Sequence, residues 1–190
     1  MNILCVDDDP TILQFFIEML KKLPLSHSEI TAAMYGEQAI DIVTGRSIDL
    51  VILDLMLPDI SGLEALRRIK ELRPRIEVLV VTGYASAETA VAAMKAGARD
   101  YIEKPVDLVA LREKMTAIIN LIEREREAEE DRFAKELMEA GALRGITSPA
   151  EALVALRQYQ TQIANILGSS ASDAEKLQRI GEVIKNKFIA

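Results

Sequence analysis

Short apolar runs alternate with amphipathic stretches over the first 123 residues of the chain. Ile3–Val6, Glu29–Ala33, Leu50–Leu53, Val78–Val81 and Tyr101–Glu103 read as strands. The third and fourth are apolar at every position (Leu50-Val51-Ile52-Leu53 and Val78-Leu79-Val80-Val81), as strands buried on both faces must be. Helical periodicity begins near Thr11, Glu37, Gly62, Ala87 and Asp107. Asp9-Pro10 sets a capping carboxylate before a proline at the first helical position. Ser61 and Glu64 have capping-box spacing, and Gly97 follows the fourth helix where a left-handed residue is wanted. Five strand–helix units in a row predict an α/β fold, a doubly wound parallel sheet with helices on both faces.

The fifth helical pattern runs on beyond the length such a domain needs. Met115, Ile119, Ile122, Phe133 and Leu137 keep its apolar rhythm, while Glu123–Arg132 carries nine charged residues in ten. That stretch reads as a solvated helix laced with pairs such as Glu123 and Glu127 against Arg126 and Arg132. A sharper reading makes it a signalling helix that pairs with a second copy along a broken coiled-coil seam. Gly141 and Gly145 interrupt the pattern, and Ser148-Pro149-Ala150-Glu151 restarts it with a capping box. A helix to about Leu167, a loop over Gly168–Ala171 and a last helix from Ser172 to about Phe188 complete an all-helical tail. The expected organisation is a domain over 1–123, a charged helical linker over 124–144 and a small helical extension over 145–190.

Composition narrows the function classes. With 49% hydrophobic and 28% charged residues, the chain is ordinary for a globular protein. A net charge of −7 argues against a surface built mainly to grip phosphate backbones. The lone Cys5 excludes an internal disulfide framework and a cysteine zinc site. No apolar run approaches the roughly 18 residues of a membrane span. Three aspartates by position 9 argue against a secretory leader, so a cytoplasmic protein is expected.

In an open parallel sheet, ligands bind beyond the carboxyl ends of the strands. The first strand ends in Asp7-Asp8-Asp9, the third in Asp54 and the fourth in Thr82, and the fifth runs into Lys104-Pro105. Carboxylates gathered there repel one another unless a cation holds them. An all-oxygen ligand set suits Mg2+ better than zinc. A lysine and a hydroxyl on the same rim are equipped to bind a phosphoryl group. Asp9 reads as the helix cap, Asp59 as a loop residue after Pro58, and His27 as a solvated residue before the second strand.

Ile3-Leu4-Cys5-Val6-Asp7-Asp8-Asp9-Pro10, Asp54-Leu55-Met56-Leu57-Pro58-Asp59-Ile60-Ser61-Gly62, Val81-Thr82-Gly83-Tyr84 and Asp100-Tyr101-Ile102-Glu103-Lys104-Pro105 occur in this order. Together they resemble the receiver domain of two-component response regulators, over about residues 1–123. The resemblance implies a flavodoxin-like (βα)5 sheet of strand order 2-1-3-4-5. It implies that Asp54 accepts a phosphoryl group from a sensor histidine kinase or a phosphotransfer protein. It also implies Mg2+ held by Asp8 directly, by Asp7 (usually through water), by Asp54 and by the Met56 carbonyl. Lys104 matches the lysine on the phosphoryl oxygens, Thr82 the switch hydroxyl and Tyr101 the switch aromatic. Lys104-Pro105 matches the family's cis peptide, and Gly83 the small residue that leaves the phosphate accessible. Met56 and Tyr84 fall where the family tunes phosphate lifetime. The implied protein is a phosphoacceptor, not an enzyme with a further substrate.

The output is less legible. Helical interaction or dimerisation, through the 107–140 helix or the tail, is favoured. Ile163, Ile166, Leu167, Leu177, Ile180, Val183 and Ile184 supply an apolar face for it. A DNA-binding alternative rests on Gln162–Ser170 as the start of a helix-turn-helix with Lys176 and Arg179 beyond it. Haloacid-dehalogenase-type phosphatases, a remote alternative using Asp54 as nucleophile, need an aspartate where this chain has Met56.

Overall fold

In the computed structural model, the described residues are 1–23 and 29–139, with 148, 150, 151, 154, 157 and 158. Strands β1 (Asn2–Val6), β2 (Glu29–Ala33), β3 (Leu50–Leu53), β4 (Glu77–Thr82) and β5 (Asp100–Glu103) form one parallel sheet in the order β2-β1-β3-β4-β5. Helices α1 (Pro10–Lys21), α2 (Gly36–Gly45), α3 (Gly62–Leu72), α4 (Ala87–Lys95) and α5 (Leu108–Glu139) alternate with them. This is the doubly wound topology and strand order that the motifs imply. β1, β4 and β5 start one residue before the sequence pattern predicts, and β4 also gains Thr82. Glu77 pairs with Leu50, Asp100 with Leu79 and Thr82 with Glu103, so the backbone ladder extends past the apolar side chains.

The continuously apolar strands serve two cores. Leu4, Val6, Val51, Leu53, Val78 and Val80 point to the face covered by α2, α3 and α4, against Ile40, Val43, Leu66, Ile69 and Ala93. Ile3, Cys5, Leu50, Ile52, Leu79 and Val81 point to the other face, against Leu13, Phe16 and Leu20 of α1 and Leu111, Met115 and Ile119 of α5. Alternation within each strand divides the two sets, which is why no polar position interrupts β3 or the centre of β4. Cys5 belongs to this packing. Burial, with the nearby charge of Asp7, pushes its thiol up to about 12, so it stays neutral and unreactive.

The caps sit where turn chemistry puts them. Asp9 accepts from the Thr11 N–H (2.7 Å), and the Ser61 hydroxyl accepts from the Glu64 N–H (3.2 Å). Gly97, with φ of +95°, follows α4 in the left-handed region. The sequence spacing does not flag a further box at α4. Ser86 Oγ accepts from the Thr89 N–H (3.0 Å), and the Ser86 N–H donates to Thr89 Oγ1 (2.9 Å). Thr89 stands there in place of the usual Glu or Gln.

The chain divides into two units, Met1–Ile122 and Glu123–Ala190. In the second, Arg126 pairs with Glu130 at 4.0 Å and Arg157 pairs with Glu130 at 2.9 Å, a partner that the spacing argument does not single out. Ser148 Oγ accepts from the Glu151 N–H (3.2 Å), as a capping start there requires. The expectations for Gly141, Gly145, the later helices, the segment over 162–179 and His27 lie outside the described residues, as do the side chains of Phe133 and Leu137. Among the described residues, no helix is long and apolar enough to cross a membrane.

Candidate functional site

Backbone pairing carries past the strand ends and fixes where each polar residue emerges. The Asp7 N–H donates to the Ala33 carbonyl (3.1 Å), the Asp54 N–H to that of Val6 (2.9 Å), and the Lys104 N–H to that of Thr82 (2.9 Å). Gly62 allows α3 to begin against the backbone of the Asp54 strand exit. A Cβ there would collide with the Asp54 carbonyl oxygen and Leu55 Cα.

Four of the residues singled out by sequence converge. Single carboxylate oxygens of Asp7, Asp8 and Asp54 all lie within 4.8 Å of one another. Asp7 and Asp54 are buried, while Asp8 is exposed. The Lys104 ammonium donates to Asp7 Oδ2 and Asp54 Oδ2, both at 2.6 Å, and the Lys104-Pro105 peptide is cis. Asp7 Oδ1 accepts from the Asp9 N–H and Asp54 Oδ1 from the Met56 N–H, each at 3.0 Å.

Burial pushes the Asp7 carboxyl above the usual carboxylate range. Hydrogen bonds from Lys104 and the Asp9 N–H offset that only in part, and the Asp54 charge adds to it. Burial disfavours the Lys104 ammonium, but its bonds to Asp54 and Asp7 outweigh the cost and hold it above the ordinary lysine value. One lysine therefore faces two buried carboxylates, with a third beside them. The excess negative charge and the all-oxygen donor set fit a hard divalent cation such as Mg2+, which Asp7, Asp8 and Asp54 could hold.

Thr82, fully buried at the end of β4, accepts from the Tyr84 N–H through Oγ1 (3.1 Å). Tyr101, part-buried on β5, donates from its hydroxyl to the Tyr84 carbonyl (3.3 Å) and lies 3.4 Å from Thr89 Oγ1. Thr82 and Tyr101 thus meet through the backbone of one loop residue, a link hidden in the sequence because a main-chain role leaves no mark on residue type. The space beside Gly83 where a side chain would stand is open. Met56 and Tyr84 are exposed at the rim, at 56% and 61%.

Two neighbouring aspartates stand outside the cluster. Asp9 caps α1, as expected. Asp59 does more than fill a loop. Its carboxylate accepts from the N–H groups of Gly36 (2.9 Å) and Glu37 (2.8 Å), at the start of α2. Desolvation raises the Asp59 carboxyl, but these bonds and that from Ile60 outweigh it, leaving it below the usual range. Tyr35, the residue before α2, offers no side-chain cap of its own.

A five-stranded parallel sheet with an acidic cluster, a lysine and a hydroxyl at its carboxyl edge defines an α/β protein of the receiver class. The profile of the response regulator receiver domain matches residues 3–116. The chain belongs to the response regulator receiver domain family. It is 38% identical over 131 residues to the transcriptional regulatory protein ZraR of Escherichia coli O157:H7, covering 67% of this chain and 29% of ZraR. It is 37% identical over 116 residues to a cyclic di-GMP phosphodiesterase of Thermotoga maritima, covering 61% of this chain and 30% of that protein. The match thus spans less than a third of either relative. Among solved structures, a CheY-like receiver domain protein from Methanospirillum hungatei JF-1 superposes with a TM-score of 0.60 at 35% identity, covering 65% of this chain and 97% of that one.

Proposed function

We propose that Asp54 is the phosphoacceptor of this chain and that a sensor histidine kinase or phosphotransfer protein supplies the phosphoryl group. The observation that carries this reading is the Asp54 carboxylate at the exit of a buried strand, with Lys104 and two further aspartates around it. An Asp54 oxygen attacks phosphorus in line, a P–O bond forms, and the P–N bond of the donor phosphohistidine breaks with its electron pair leaving on the imidazole. Lys104, now shared between Asp7 and Asp54, is placed to follow the charge onto the phosphoryl oxygens. Bound Mg2+ would offset the negative charge of the carboxylates and the incoming phosphoryl group.

The product is a switch. Thr82 gives up its bond from the Tyr84 N–H to reach the new phosphoryl oxygens, and the loop that holds the Tyr101 hydroxyl moves with it. The output reading is control of a protein partner or a second copy through the 107–140 helix or the tail, in the cytoplasm where a kinase can reach the site. The relative named a transcriptional regulatory protein leaves the helix-turn-helix over 162–179 as the alternative output.

Incubation with Mg2+ and acetyl phosphate, followed by intact-mass spectrometry and sedimentation of the same samples, tests this reading. One phosphoryl adduct is expected with Mg2+ and none with excess chelator. An association state that changes with the adduct supports assembly as the output. Adduct formation indifferent to chelator would contradict the metal reading.

A further inference from the structure

The seven-residue loop from Leu55 to Ser61 joins the proposed phosphoacceptor to α3, and it carries the Met56 backbone that borders Asp54. Its local ties are short. The Met56 N–H donates to Asp54 Oδ1 (3.0 Å), and the Gly62 N–H closes back onto the Leu55 carbonyl (2.9 Å). Asp59 ties its far side to another element. Both carboxylate oxygens take N–H groups of Gly36 and Glu37, more than 20 positions earlier in the chain. Packing matches the hydrogen bonds. Gly36 is buried, and a Cβ on it would fall into the side chain of Ile60, the residue after Asp59. The α2 start in turn holds α3, because the Glu37 carboxylate pairs with Arg68 at 2.6 Å.

We infer that Asp59 is a positioning residue for phosphoryl transfer, clamping the loop to α2 and so fixing the Met56 backbone beside Asp54. This rests on the phosphoacceptor reading above. A carboxylate is well suited to the task, since it accepts two backbone N–H groups at once and lies at the positive end of the α2 dipole. Without it, those N–H groups turn to water, and between its two ends the loop keeps only side-chain packing such as that of Ile60 against Gly36. The Met56 backbone then samples several positions over Asp54. Ligand sites lose affinity and rate when such supporting groups go, because orientation is bought back from binding energy.

The test compares wild type, Asp59→Ala and Asp59→Asn in the full chain. Three quantities are read below the melting temperature of every variant: the rate of adduct formation from acetyl phosphate at saturating Mg2+, the calorimetric Mg2+ affinity without donor, and the melting temperature. Asp59→Ala is expected to weaken Mg2+ binding and slow adduct formation by about 10-fold. Asp59→Asn, which keeps one acceptor oxygen, is expected to fall between Ala and wild type. A purely structural cap would lower the melting temperature and leave rate and affinity at the wild-type values, and that result would overturn the inference. If Asp59→Ala does not fold, Asp59→Asn alone decides, since a wild-type rate and Mg2+ affinity there would overturn it too. A wild type that forms no adduct removes the phosphoacceptor reading and this inference together. A wild type that forms one while all variants match it removes this inference alone.

Discussion

Lys104→Ala is expected to slow phosphorylation of Asp54 about 100-fold, the cost of removing a charged donor from a developing phosphoryl charge. The same change should lower metal-free stability at neutral pH by about 3 kcal/mol, because it leaves a buried carboxylate pair without its counter-ion. Asp7 and Asp54 are only 2% and 5% exposed, so the few waters that reach them do not make up for the lost ammonium charge. The stability loss carries a pH signature. Asp7 already stands above the usual carboxylate range through burial, and it loses the Lys104 hydrogen bond that holds it down. A group whose folded value is raised favours the fold at low pH and loses that contribution as pH rises through the folded value. The gap in urea midpoint between wild type and Lys104→Ala should therefore be widest at neutral pH and shrink toward about pH 4. Excess Mg2+ at neutral pH should narrow it as well, because the folded variant, with no ammonium competing for Asp7 and Asp54, gains more from binding the cation than the wild type does. An equal gap under all three conditions would show that Lys104 contributes packing and not charge.

Gly62→Ala should destabilise the domain by about 3 kcal/mol, at the upper end of overpacking costs. The reason is the identity of the obstacle. A new methyl at this position meets the Asp54 carbonyl and Leu55 Cα, backbone atoms that cannot rotate aside, at the base of the proposed site. α3 would have to withdraw from β3, and Leu66 and Ile69 with it. Gly45→Ala is the control. A Cβ there meets nothing within 4 Å, and alanine costs less conformational entropy at a helix end, so urea unfolding should show no loss. Equal effects at the two glycines would refute the close approach of α3 to the Asp54 exit.

These two positions mark how far residue types alone carry the reading. Asp7, Asp8, Asp54, Thr82 and Lys104 are legible because each stands at or just past the carboxyl end of a strand in a parallel sheet, where topology brings all strand exits to one edge. The two-sided burial of Leu50–Leu53 is legible for the same reason: only helices on both faces tolerate four apolar residues in a row. Asp59 is different. Its partners are backbone groups on a helix more than 20 positions away, and any pattern within its own segment reads as a turn after Pro58. Tyr84 joins Thr82 to Tyr101 through its N–H and C=O, which every residue but proline could supply. Thr89 caps α4 with a hydroxyl where spacing rules look for Glu or Gln. Glu130 receives Arg157 from 27 residues on, a pairing that needs the fold of its own unit and not helical spacing. What sequence hides here is chiefly contact between distant segments and chemistry done by the main chain.

The most direct measurement is the position of the acyl phosphate. Wild-type protein phosphorylated by acetyl phosphate in Mg2+ is reduced with borohydride, which converts an aspartyl phosphate to homoserine, and is then digested and sequenced by mass spectrometry. Homoserine at position 54, with none in Asp54→Ala, is the predicted result. Homoserine at Asp7, Asp8 or Asp9 in the wild type, or an undiminished yield of it in Asp54→Ala, would contradict the assignment of Asp54 as the phosphoacceptor.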